Sequence, residues 1–200
     1  RKGDVEGLLS IASGWPYLRN DKLKNVKIDA FHELVIVDEI ARRGDSGDLS
    51  KIWPSSVSLI RELLGESSAD FQNVLNEKSP VAIALVEPGV SGHDLSGLKT
   101  SAKHNRITGT KNFVSNSDTA NVFIVAVEEG RIFIVNKNQN DSRAISVEPM
   151  QCSGMKSGGI GVVKFESAAG YEVSGGMEKV KQWLDHERWV IAIQSVRLAR

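Results

Sequence analysis

Along the chain, the spacing of hydrophobic positions changes near residue 80. Upstream it is helical. In DAFHELVIVDEIARRGD, the residues Phe31, Leu34, Val35, Val37 and Ile40 mostly share one face, and Asp29 is available as an N-cap. SSVSLIRELLG repeats the pattern with Val57, Ile60, Leu63 and Leu64, then closes on Gly65 at a C′ position. SADFQNVLNEK predicts a shorter third helix. ASGWPYLRNDKLKN, with Gly-Trp-Pro and polar neighbours, predicts loop.

Downstream the chain becomes strand-like. VAIALV, bounded by Pro80 and Pro88, has the length of a buried strand. GLKTSAKH and RITGTKNFVSN predict a hairpin turning at Asn105, and ANVFIVAVEEGRIFIVNK a second one turning at Glu-Glu-Gly-Arg. AISVEPM and GIGVVKFESA add further strands. No long helical pattern interrupts this region, so a closed or sandwiched antiparallel sheet is expected rather than parallel βαβ units. From Met177 the period is helical again, with Val180, Trp183, Leu184, Val190, Ile191 and Ile193 forming a broad apolar surface.

Composition narrows the function. The 200 residues carry 25 basic and 25 acidic side chains, so no net field recruits nucleic acid or an anionic membrane. No apolar run approaches the ~20 residues of a membrane span. The start, RKGDVEGLLS, does not read as a secretory signal. A single cysteine, Cys152, fits a reducing compartment: the cytoplasm or, in a eukaryote, the mitochondrial matrix. Together with the scattered histidines it offers no metal-ligand spacing. With no initiator methionine and a helical pattern running to Arg200, the chain is expected to be part of a longer one.

ALVEPGVSGHDLSGLKT leaves a buried strand through a loop rich in bare backbone amides. Taken alone, it is either a turn or a small nest for an anion. Composition alone makes Phe113 a core residue and Ser115 a polar strand residue.

The same stretch, followed by ITGTKNFVSNSDTANVFIVAV, resembles the middle domain of the acyl-CoA dehydrogenase family. There a strand ends in Thr-Glu-Pro, a Gly-Ser-Asp turn follows, and a Gly-x-Lys-x-[Trp/Phe]-[Ile/Val]-[Thr/Ser]-Asn segment comes next. SGMKSGGIGVVKFESAAGYEVSGG is similar to that family's Gly-x-[Arg/Lys]-x-Ser segment and the strand after it. WLDHERWVIAIQSVRLAR looks like the first helix of its C-terminal bundle, and VDEIARRGD like a helix of its N-terminal one. The similarity covers most of residues 30 to 200.

The resemblance implies an α+β chain in three parts. These are an N-terminal helical segment (1–79), a flavin-binding antiparallel β-barrel or sandwich (80–176) and the start of a C-terminal helical bundle (177–200). It implies FAD as cofactor and α,β-dehydrogenation of an acyl-CoA thioester in fatty acid metabolism. An electron-transfer acceptor and a homo-oligomer, or a hetero-oligomer with a related subunit, come with it. Phe113 is expected against the flavin ring, and Ser115, two residues along the strand and so on the same face, near its N5. Val86, Ser91, Gly92 and His93 form the loop facing cofactor and substrate entrance. Ser91, His93 and Arg188 are expected near substrate, Arg188 as an accessory at the active centre. Val86 stands where the family usually has Thr, and the turn is one residue longer, leaving Ser91 and His93 as alternatives for the family's serine. The family's base is expected beyond Arg200, and Glu87 is a structural turn residue, so the chain alone should not turn over. A flavin monooxygenase of the same fold and a non-catalytic, acyl-CoA dehydrogenase-like subunit are the alternatives.

Overall fold

The computed structural model describes residues 35, 37–39, 41–42, 55–65, 81–90 and 95–199. The residues described between 35 and 42 are helical, as their spacing predicts. Helix α1 spans Ser55–Leu64, with Leu59, Ile60 and Leu63 buried. It stops at Gly65, whose φ of 81° is the left-handed conformation of a C′ glycine. The predicted third helix and the Gly-Trp-Pro loop lie outside the described residues.

Eight strands follow: β1 Val81–Ala84, β2 Ser101–Lys103, β3 Arg106–Val114, β4 Val122–Val127, β5 Arg131–Asn136, β6 Ile145–Pro149, β7 Gly161–Ala169 and β8 Tyr171–Val173. Among the described residues they form two four-stranded sheets, ordered β1-β4-β5-β8 and β2-β3-β7-β6, and no closed barrel. Both predicted hairpins are present. β2 and β3 turn at His104 and Asn105, both at positive φ (49° and 59°), as the right-handed twist of a tight hairpin demands. β4 and β5 turn at Glu128–Gly130.

One pairing departs from the antiparallel expectation. β1 runs parallel to β4, from Val81↔Val122 to Ala84↔Val125. Between them the chain crosses to the other sheet, makes β2 and β3, and returns from the end where β1 entered. A hairpin thus does the work that a helix does in a βαβ crossover.

The first sheet is covered on both faces. Toward the second sheet it presents Phe123, Val125, Val127, Phe133 and Val135, which pack with Ile107, Val114, Val163 and Phe165. The Phe123 and Phe165 rings meet edge to face, 5.8 Å between centroids. Its other face, with Val81, Val122, Ile124, Ala126, Ile132 and Ile134, lies under Leu59, Ile60 and Leu63 of α1 and Val180 of the C-terminal helix. Two covered faces explain why VFIVAV of β4 is apolar throughout, without alternation.

That C-terminal helix, α2, spans Gly176–Leu198. It packs through Val180, Trp183 and Leu184, and Lys179 Nζ donates to the Glu62 carbonyl at 2.7 Å. Near its end Arg197 Nε donates to Asp38 Oδ1 at 2.6 Å, pairing α2 with the helical residues around 38. Its apolar surface is divided: Val190 is buried, whereas Trp189, Ile191 and Val196 are exposed. Val35, Asp38, Trp189, Ala192, Ile193 and Val196 line an open apolar cleft of about 410 Å³.

Candidate functional site

Strand β3 builds the site because its regular alternation is broken near its end. Its pairing with β7 slips between Ile107 and Gly109 and again between Lys111 and Val114. The second irregularity places Phe113 at φ 54°, a conformation that costs a bulky L-residue about 1–2 kcal/mol. The ring gains no burial in return, since Phe113 is 60% exposed. Strain without burial sets this aromatic apart from the core residues of the strand.

The left-handed residue also removes the basis for placing Phe113 and Ser115 on one face. The strand ends at Val114, and Ser115 is half-buried in the turn that follows. Strand alternation therefore relates the two side chains no longer, although they remain neighbours along the chain.

Backbone hydrogen bonds tie this segment to the other two motifs. On one side Asn112 N–H donates to the Val86 carbonyl (2.8 Å), which brings the Glu-Pro turn against Phe113. On the other, Asn116 N–H donates to the Gly158 carbonyl (2.9 Å) and Ser117 N–H to the Gly159 carbonyl (3.0 Å), with Ser117 Oγ adding a bond at 2.9 Å. The Met-Lys-Ser-Gly-Gly stretch thus lies beside the end of β3. Gly159 is needed there: its φ is 58°, and a Cβ would stand 2.0 Å from Asp118 Oδ1.

Glu87 belongs to the framework, as its place before Pro88 suggests. Its carboxylate accepts from Lys99 N–H (2.6 Å), Thr100 N–H (3.0 Å) and Lys111 Nζ (2.7 Å). Burial pushes its pKa up, but these donors outweigh that and hold the carboxyl below the usual range, ionised and unfit as a base. Lys111 is wholly buried and also donates to the Leu85 carbonyl at 3.2 Å. Desolvation lowers its pKa, and Glu87 restores part of the loss. Arg188 sits on an exposed stretch of α2, ion-paired with Asp185 three residues earlier. Ser91, Gly92, His93 and Asp94 lie outside the described residues.

Comparison with known proteins bears on what this arrangement serves. No family model matches the chain. The acyl-CoA dehydrogenase AFT10-1 of Alternaria alternata is 31% identical over 193 residues, an alignment covering 86% of this chain and 44% of that protein. The solved acyl-CoA dehydrogenase of Geobacillus kaustophilus superposes with a TM-score of 0.76 at 18% identity, over 96% of this chain and 57% of its own. Butyryl-CoA dehydrogenase from Megasphaera elsdenii gives 0.75 at 18% identity, over 98% and 57%. An acyl-CoA dehydrogenase from Bacillus anthracis, solved in complex with FAD, gives 0.72 at 24% identity, over 96% and 37%.

The chain is a relative of the acyl-CoA dehydrogenases and shares their fold. It spans less than half the length of the curated relative that it matches. Within this acyl-CoA dehydrogenase fold, main-chain bonds from Asn112 to Val86 and from Asn116 and Ser117 to Gly158 and Gly159 hold the chain on either side of Phe113. Sequence reasoning missed Lys111. Its signal was the period of β3, which puts residues 107, 109 and 111 on the face turned to the other sheet, so that a lysine there must find a buried anion.

Proposed function

We propose that this chain forms the flavin-binding part of an FAD-dependent, acyl-CoA dehydrogenase-like oxidoreductase acting on acyl thioesters. The observation that carries the reading is Phe113, displayed on a strained bulge between the Val86 turn and the Gly158–Gly159 segment. The residues present fit a flavin: the exposed aromatic offers the ring a flat wall, and Ser115 a hydroxyl in the turn beside it. FAD, when bound, would accept the hydride that leaves the β-carbon of the acyl group. The chain's own contribution is to seat the cofactor and keep water from one face of it.

Removal of the α-proton needs a carboxylate fixed within reach of that carbon. Glu87 is committed to Lys111 and two amides, and Asp185 to Arg188. In this reading the base comes from outside these 200 residues, in the same polypeptide or in a partner subunit. Val86, which offers the flavin no hydroxyl, favours a second reading as a non-catalytic subunit with this fold.

FAD titration and an artificial-acceptor assay with a panel of acyl-CoA thioesters test both. The dehydrogenase reading expects saturable binding with a shifted visible spectrum and no turnover by this chain alone. Absence of FAD binding points to the non-catalytic subunit. Bleaching of bound flavin by a thioester would show that the base lies within these 200 residues.

A further inference from the structure

Glu87 and Lys111 are the two oppositely charged side chains that the core encloses among the described residues, and their bonding has a direction. Glu87 stands where the chain leaves β1 for its loop. Lys99 and Thr100, whose amides bond its carboxylate, stand where the loop ends and β2 begins. Lys111 lies two residues before Phe113 and bonds both Glu87 and the Leu85 carbonyl. One carboxylate therefore ties the chain leaving β1 to the chain entering β2 and fastens both to the strand that displays the aromatic.

Other contacts hold the same two limbs. Val90 N–H donates back to the Glu87 carbonyl at 3.0 Å, folding the first limb. A Cβ at Gly97 would meet the Val90 methyls at 3.8 Å, so the two limbs approach each other. Leu98 is buried, and the Thr100 carbonyl accepts from Glu128 N–H at 2.8 Å, anchoring the second limb to the β4–β5 turn. An apolar core would have been stable without charges at these positions. What the ion pair adds is a set of directed bonds that apolar packing cannot supply.

We infer that the Glu87–Lys111 pair is the positioning device of the site, locking residues 88–90 and 95–98 and the Phe113 segment into one body. Its consequence for the cofactor rests on the flavin reading above; the locking itself does not. Glu87 and Lys111 act here as positioning residues, both buried within the protein.

Hydrogen exchange on the 200-residue chain tests this directly, with Glu87→Gln keeping shape while removing charge and one acceptor. Exchange at Val90, Lys99 and Thr100 is expected to quicken at least tenfold, with the β4–β5 hairpin unchanged. FAD affinity should fall by about the same factor. The double variant Glu87→Gln/Lys111→Met, which leaves no orphaned ammonium, should show the same local loosening with a melting temperature nearer wild type. Equal quickening across the hairpin, or unchanged exchange in the loop, would overturn the proposal by showing general destabilisation or no lock. A wild-type chain that takes no FAD counts against the flavin reading alone, because the exchange pattern still decides the lock.

Discussion

Lys111 Nζ lies 2.7 Å from Glu87 Oε1, and both side chains are shut off from solvent. The carboxylate's pKa is held below its usual value in the folded chain, because its three donors outweigh the cost of burial. Its contribution to stability is thus complete above the unfolded value and lost as pH falls through the folded one. Urea midpoints should decline for wild type as pH drops below about 4.5, and decline less for Glu87→Gln, which has no proton to take up there. Lys111→Met at neutral pH orphans the carboxylate and is expected to cost about 3–5 kcal/mol.

Phe113→Gly separates stability from binding. Glycine releases the left-handed strain at φ 54°, and an aromatic that is 60% exposed forfeits little burial. The greater freedom of glycine in the unfolded chain offsets about 0.4–1 kcal/mol of that relief. Melting should show stability unchanged or raised by up to about 1 kcal/mol, while FAD titration shows at least tenfold weaker binding. A clear loss of stability would mean that the ring packs against the protein after all.

Gly159→Ala and Gly154→Ala form a contrasting pair. At 159 the new methyl would collide with the Asp118 carboxylate and sit on a backbone at φ 58°; at 154 nothing lies within 4 Å. Denaturation should show a loss of about 1–3 kcal/mol for the first and under about 0.5 kcal/mol for the second.

Arg197 and Asp38 join α2 to the helical residues near 38, but both remain partly in water, with 26% and 39% of their side chains exposed. Solvent screening keeps such a pair weak. A double-mutant cycle with Arg197→Ala and Asp38→Ala should return a small favourable coupling that shrinks as salt is raised.

By itself, the sequence determined the elements and their kinds. Helical spacing around 55–65 and from 177, the two hairpins, and the Glu-Pro and Lys-x-Phe motifs were legible because each depends on residues close together in the chain. The parallel β1–β4 pair was not, since a crossover built from strands leaves no local period to read. Nor was the division of α2 into packed and exposed apolar residues, which depends on what α1 and the first sheet cover. At the site, the motifs named Phe113 and Glu87, and tertiary structure decided where each sits and what it contacts. A bulge turned Phe113 out of the alternation that would have paired it with Ser115. Burial in a medium of low polarity made Glu87 and Lys111 seek each other across twenty-four positions of chain, a choice that only the packed sheets could impose.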